Sequence, residues 1–547
     1  MTASPRIAYF CMEYGLDDRL KTYSGGLGIL AGDHLKAARD LGLPLVGLGI
    51  KWKQGYVRQA IDADGQPLDV FRDYVYDGLL EDTGVEVTVP IKGQDVRCKV
   101  WRTEAFGNAP LLLLDTDLPG NPEAHTTRQL YGGPGEDRVA QEIVLGVGGV
   151  RALRALGLEA DVYHFNEGHA LLAGFELIRE KMAAGDDLET ALARTRAEIV
   201  FTTHTPVLAG NETHPLDRLC YVGADLGLGA DVLRRLGGEP FNMTVGALRL
   251  ARRANAVAQL HGETARAMWA HVEGGAPIGA ITNGIHVPTW VDPAVLEAAA
   301  AGDDEALWAA HVANKRAAIA HIEARAGVTF REDVLLVGFA RRAVAYKRPT
   351  LIFEDVEAIG PLLREGRLQL VFSGKSHPMD ASGKAIVAEL VAFAAQYPGA
   401  VAFVPDYDMA TGAVLTRGCD VWLNNPRRPK EASGTSGMKA AMNGVLNASI
   451  LDGWWPEACR DGVNGWAIGD AHVGADEAAQ DARDRAALVE TITRRVVPAY
   501  YGDRAAWIAM MRASVADTRE AFSAERMVRE YAGTLYAGVP VAEAPAA

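Results

Sequence analysis

Glu431-Ala-Ser-Gly-Thr-Ser-Gly-Met-Lys-Ala-Ala-Met-Asn-Gly444 sets four small residues, Gly434, Thr435, Ser436 and Gly437, ahead of an apolar run carrying one lysine, Lys439. Small residues leave backbone N–H groups accessible, and Ala440-Ala441-Met442 with the later Val445-Leu446 reads as the start of a buried helix. The positive end of that helix faces the loop and favours an anion there. Lys439 falls on or near the first turn, where a buried amine is costly unless neutralised, paired or used covalently. Taken alone, the stretch is equally an ordinary helix cap beside a solvated lysine. Anion-holding loop and buried amine together suit a flat ring with a phosphate on one arm and an aldehyde close by, which describes pyridoxal 5'-phosphate.

Outward from this stretch, short β-rich runs alternate with helix-length segments: Ile7–Cys11, Leu45–Leu48, Asp161–Phe165, Glu198–Thr203, Val334–Phe339 and Leu368–Ser373. An Ala-rich helix over Glu305–Ala326 separates the strand series ending near Ile278–Ile281 from a fresh one at Val334. The expected boundary lies around residue 290, giving domains 1–290 and 291–547. The tail from Arg483 to Leu535 reads as helical and is expected to pack back on the first domain, with Val539–Ala547 a frayed end. The expected architecture is α/β, two Rossmann-like doubly wound domains facing each other across a cleft, with ligands at the carboxyl ends of the strands.

At 547 residues, 49% hydrophobic and 23% charged, the chain is too long for one core and too apolar for disorder. A net charge of −15 argues against nucleic acid or an anionic membrane as partner, while leaving room for a local phosphate-binding patch. No apolar run approaches a membrane span and Met1–Arg6 carries no signal-peptide core, so a cytoplasmic protein is expected. Cys11, Cys98, Cys220, Cys419 and Cys459 are odd in number and widely spread; they read as reduced core residues, and no metal site is expected.

Further constellations recur at expected strand ends. Tyr23-Ser-Gly-Gly-Leu-Gly28 precedes a helical stretch from Ile29 to Leu41, as a phosphate-approaching loop or a tight turn. Arg341-Arg-Ala-Val-Ala-Tyr-Lys-Arg348 packs four cations into eight residues, an anion site or a solvated basic turn. Asp161–His169 and Ala280–Ile285 each set polar groups beside a glycine, and either is also a plain turn. Pro405-Asp-Tyr-Asp408 offers a tyrosine at a strand end; Trp454-Trp455 suits sugar stacking or core packing alike.

In order along the chain, these segments resemble those of the α-glucan phosphorylases, the glycogen, starch and maltodextrin enzymes, in a short bacterial form. Here E-A-S-G-T-S-G-M-K stands where the family has E-A-S-G-T-G-N-M-K. The likeness implies that Lys439 forms the Schiff base with pyridoxal phosphate, that the backbone of Thr435 and Ser436 holds its phosphate, and that Glu431, Ser433 and Gly434 contact sugar hydroxyls. The loop at Gly25 and Gly26 resembles G-N-G-G-L-G-R-L-A, whose glycine amides lie near the substrate phosphate. Arg341–Arg348 resembles K-R-I-H-E-Y-K-R, implying that Arg342 and Lys347 grip that phosphate and Arg341 lies nearer the cofactor. Ala343, Val344 and Ala345 depart from the I-H-E of the long enzymes, which touches regulation or domain coupling more than chemistry. By similarity to L-N-D-T-H-P and K-T-N-G-I, His169 and Asn283 hold the sugar's 6-hydroxyl, the His169 carbonyl stabilising anomeric charge; Tyr407 matches the tyrosine of E-N-Y. Phe201–Pro206 also matches a family segment, with no role assigned to His204. The implied fold is of GT-B type. The implied reaction is reversible phosphorolysis of terminal α-1,4-glucosyl units, with glucan or maltodextrin, inorganic phosphate and glucose 1-phosphate as partners and a homodimer as assembly. The alternatives are a nucleotide-sugar-dependent glucan synthase and a silent glucan-binding homologue.

Overall fold

The computed structural model describes residues 4–474 and 476–538, so Val539–Ala547 lies outside the described residues. The chain divides into two compact units. The first holds residues up to Tyr56, Arg72–Thr282 and the chain from Ala524 onward; the second holds Val57–Phe71 and Asn283–Ser523. The division therefore falls at Thr282/Asn283, against an expectation near 290. Of the tail from Arg483, only the part from Ala524 groups with the first unit.

The first unit is built on Ile7–Phe10 (β1), Leu45–Ile50 (β2), Glu81–Ile91 (β3), Gln94–Thr103 (β4), Leu111–Asp115 (β5), Val162–Asn166 (β6), Ile199–Thr202 (β7), Arg253–Ala256 (β8) and Ile278–Ala280 (β9). Their order is β9-β8-β7-β6-β1-β2-β5-β4-β3. All pairs are parallel except the β3/β4 and β4/β5 edge pairs. The central strands β1, β6 and β7 are buried along their whole length because helices cover both faces of a parallel sheet. The helix Gly26–Asp40 (α1) packs against Ala524–Gly533 over Tyr9, Leu30, Leu35, Met527 and Tyr531, all buried.

The second unit carries Leu335–Ala340 (β10), Leu368–Ser373 (β11), Val401–Val404 (β12), Val421–Asn424 (β13), Leu446–Ile450 (β14) and Gly465–Ile468 (β15), ordered β12-β11-β10-β13-β14-β15 and parallel throughout. Each unit is thus an α/β domain of doubly wound type. In each, the strand order reverses beside the first strand, between β1 and β6 and between β10 and β13, and loops leaving the two strands diverge there to open a crevice.

The hairpin Arg58–Ile61/Pro67–Val70 belongs to the second unit through ions. Asp406 pairs with Arg58 at 3.0 Å and Lys375 at 2.7 Å, and Lys384 with Asp69 at 2.5 Å.

Asp420, at the foot of β13, ties this sheet to the helix Asp304–Ala326 (α2). It is fully buried and accepts from Lys315 Nζ at 2.6 Å, Leu336 N–H at 2.7 Å and His311 Nε2 at 2.9 Å. Asp420→Ala leaves a buried ammonium without its counter-ion and is expected to cost about 3–5 kcal/mol. The urea midpoint followed by tryptophan fluorescence checks this, and an unchanged midpoint contradicts it.

Candidate active site

In the second unit the loops after β10 and β13, the two strands of its switch point, carry Arg341–Arg348 and Asn425–Gly434. They meet at Glu431. Its Oε2 lies 2.6 Å from Arg341 Nη1 and 2.5 Å from Lys347 Nζ, and all three side chains are buried or nearly so. Burial raises the Glu431 carboxyl, but Arg341 and Lys347 outweigh it and hold it down to about 2. From its ordinary value of 4.5 this is worth about 3 kcal/mol, fully present above pH 4.5 and lost as pH falls toward 2.

The loop after β14 underpins this carboxylate. Asp452 accepts from Glu431 N–H at 3.0 Å and from Gly453 N–H at 2.8 Å. Burial, reinforced by Glu431, pushes its carboxyl up to about 7. Gly453 has φ +59°, and a β-carbon there would stand 2.2 Å from the Ser433 carbonyl oxygen, so the two loops touch at backbone distance. Arg341 is steered to Glu431 from the other side by a hydrogen bond to Asn424 Oδ1. Gly374 admits the Arg341 carbonyl, which a β-carbon would meet at 1.9 Å.

The helix Thr435–Met442 (α3) begins at Gly434, whose φ of +93° turns the chain, and no side chain caps it. The first N–H groups of α3 are left for another acceptor. Ser433 Oγ is buried and makes no hydrogen bond. Ser436 Oγ accepts from Trp422 Nε1 at 3.3 Å. Lys439 is the fifth residue of α3, one place beyond the first turn, and is buried. Its ammonium rests on the face of Trp290, 3.2 Å from the ring centre. Asn443 holds Trp290 in place, donating to the Trp290 carbonyl at 3.2 Å and to that of Lys439 at 2.8 Å, while Arg417 donates to the Trp290 carbonyl at 2.9 Å. An uncapped helix start, an orphaned hydroxyl and a buried amine against an indole fit a planar phosphorylated aldehyde.

Arg342 is exposed, and the cation that joins Lys347 on Glu431 is Arg341. Arg348 turns away, to Asp481 and Asp484 at 2.7 Å each. Tyr407 follows β12 with its hydroxyl against Gly412, and Asn283 is buried in the loop after β9.

In the first unit, the loops after β1 and β6 flank the other switch point. Gly26 opens α1, and a β-carbon there would meet nothing within 4 Å. The neighbouring amides are already engaged: Glu13 accepts from Ser24 N–H at 2.6 Å, Gly25 N–H at 3.1 Å and the Tyr131 hydroxyl at 2.7 Å. After β6, Glu167 (φ +75°) accepts from His204 N–H at 2.8 Å and Thr205 Oγ1 at 3.1 Å, drawing the loop after β7 toward His169. Burial, with Arg138 nearby, lowers His169 to about 3, so its imidazole is neutral at neutral pH.

Asn424, Asp452, Trp290 and Glu13 are absent from the sequence reading. Glu13 stood near a recognisable strand end; Asp452 follows β14, which Leu446 opens as a strand where Val445-Leu446 were expected to continue the helix that ends at Met442, and Asn424 and Trp290 gave no local sign.

Glu431→Gln strands Arg341 and Lys347 together and is expected to lower the unfolding temperature in phosphate-free buffer by the equivalent of about 3 kcal/mol. Millimolar phosphate should recover part of the loss. An unchanged melting temperature contradicts the assigned charge balance.

Residues 296–459 match the family described as carbohydrate phosphorylase. The chain is 39% identical to the maltodextrin phosphorylase of Thermococcus litoralis, covering 97% of this chain and 70% of that one. It is 41% identical to the glycogen phosphorylase of Mycobacterium tuberculosis over the same shares, and 36% identical to that of Aquifex aeolicus over 97% and 86%. Among the described residues no helix is long and apolar enough to cross a membrane. With crevice loops of this composition on two doubly wound units and likeness along nearly its whole length, the chain belongs to the carbohydrate phosphorylase family.

Proposed function

We propose that the chain catalyses reversible phosphorolysis of the terminal α-1,4-linked glucosyl unit of a glucan, releasing glucose 1-phosphate with retention at the anomeric carbon. The observation that carries this reading is the buried Lys439 on an uncapped helix whose entry loop also presents Glu431 between Arg341 and Lys347. Membership of the phosphorylase family sets aside the nucleotide-sugar synthase and leaves the silent glucan-binding homologue to assay.

Lys439 would hold pyridoxal 5'-phosphate through its aldehyde, the first amides of α3 at Thr435 and Ser436 its phosphate, and Arg341 and Tyr407 its surroundings. When bound, that group supplies a phosphate able to exchange a proton with the substrate phosphate. Lys347 grips inorganic phosphate, with Arg342 as the second cation of the same loop. Two phosphates in contact repel, and the cations of Arg341–Lys347 offset that repulsion in a dry site. Glu431, ionised at any working pH, accepts from sugar hydroxyls, and Ser433 and Gly434 complete that contact. In the first unit, Gly25 and Gly26 serve the substrate phosphate. Because Glu13 takes the Gly25 amide, Gly26 is the donor that remains to the phosphate. His169 and Asn283 each keep the role the family likeness implies, contact with the sugar's 6-hydroxyl, which orients the ring while positive charge develops at the anomeric carbon.

Supplied with glucose 1-phosphate and a maltodextrin primer, the cofactor-loaded protein should release inorganic phosphate. Lys439→Ala should abolish this, and Lys347→Ala should reduce kcat about 100-fold or more. Turnover of a nucleotide-linked glucose in place of glucose 1-phosphate, or full activity of Lys439→Ala, would overturn the proposal.

A further inference from the structure

Glu142 lies in the last turn of the helix Gly135–Ile143, and Glu212 and His214 bracket Thr213 at the short strand Thr213–His214. Residues two apart on an extended chain project to the same side, so Glu212 and His214 both face Glu142. His214 Nε2 stands 3.4 Å from Glu142 Oε2 and 3.6 Å from Glu212 Oε1, and one ligand atom from each residue lies within 4.8 Å of the others. Glu142 is 0% and His214 3% exposed. Among the described residues, neither carboxylate oxygen of Glu142 and neither ring nitrogen of His214 makes a hydrogen bond.

We infer that Glu142, Glu212 and His214 bind one divalent transition-metal ion of the zinc class. Metal–ligand bonds of about 2.1 Å in tetrahedral geometry place neighbouring donor atoms about 3.4 Å apart; the two separations from His214 Nε2, 3.4 and 3.6 Å, match this and are long for a hydrogen bond. Two carboxylates and an imidazole are a fitting donor set for such an ion. The cations beside Glu142 stand at ion-pair distance and do not hydrogen-bond it: His214 Nε2 at 3.4 Å and Arg138 Nε at 3.7 Å, with Arg138 Nη1 buried and likewise without a hydrogen bond among the described residues. Arg138 spans both oxygens of Glu212 at 2.8 and 3.0 Å, and its Nε stands 3.7 Å from Glu142 Oε1. That bidentate clamp is the support a metal-ligating carboxylate commonly receives. His169 Nε2 lies 3.9 Å from Glu212 Oε2, on the far oxygen of that carboxylate from His214. The ion is structural: it pins the strand to the helix and fixes the carboxylate beside His169. No local pattern marks the site, because Glu142 is distant in the chain from the other two donors and no cysteine takes part. The inference stands apart from the proposed reaction.

The test uses the full chain with cofactor bound. Protein is stripped with a chelator, freed of it, loaded with zinc chloride, dialysed and analysed by mass spectrometry of the element. Wild type should retain about one ion per chain, His214→Ala and Glu142→Gln close to none, and His214→Cys about one again. After cobalt(II) substitution, His214→Cys should add a thiolate-to-cobalt absorption absent from wild type, which locates the ligand even if His214→Ala fails to fold. Equal zinc in wild type and His214→Ala, or wild type emerging metal-free with a proton shared between His214 and Glu142, would overturn the assignment.

Discussion

Glu431 carries two cations on one oxygen, and the organisation of the second unit's crevice follows from keeping that carboxylate ionised out of water. An isolated buried carboxylate would take up a proton; Arg341 and Lys347 prevent this, and each needs the other loop to reach it. Asp452 absorbs the remaining tension. Burial first, and the ionised Glu431 second, push its own carboxyl up to about 7, while Glu431 is held down to about 2. Two acids in one pocket are thereby driven to different charge states by environment alone, as sites that handle anions and hydroxyls together require.

The backbone makes this possible. In both units the switch point separates loops that would otherwise pack together, and the chain places its unusual residues in those gaps: Arg341–Arg348 and Glu431–Gly434 in one, Glu13, Gly25, Gly26 and Glu167–His169 in the other. Carboxylates again do the fastening in the first unit. Glu13 gathers the glycine loop and Glu167 gathers the loop after β7, so each crevice wall is held by an acid that accepts backbone N–H groups. The energetic logic is common to both: charge-assisted bonds to main chain are stronger than neutral ones and fix loop position at small entropic cost.

Much of this was legible in the chain. Strands such as Leu335–Ala340, a continuous apolar run, and Leu368–Ser373, apolar but for Gln369 and Ser373, are buried because a parallel sheet is covered on both faces, and runs of that kind declare themselves. The glycine-to-lysine stretch declared a helix start for the same local reason. Features resting on distant partners were silent. The hairpin at Arg58–Val70 is held to the second unit by Asp406, Lys384, Ser376 and the packing of Ile61, partners distant in the chain that its own sequence does not reveal. Arg341, rather than Arg342, meets Glu431 because Asn424 and the gap at Gly374 decide which way the loop turns. Trp290 lies under Lys439 because Asn443 and Arg417 hold its carbonyl, a contact spread over three segments. The helix α1 begins at Gly26 rather than Ile29, since glycines in open space can enter a helix as readily as a turn.

The central claim is that the amine at position 439, lying on an indole and out of water, is the group that binds the cofactor. Incubation of the protein with pyridoxal 5'-phosphate and reduction with borohydride, followed by digestion and mass mapping, tests it most directly. The account predicts one reduced pyridoxyl adduct per chain, on the peptide containing Lys439. An adduct confined to another lysine, or a fully active protein that takes up no hydride label, would contradict it.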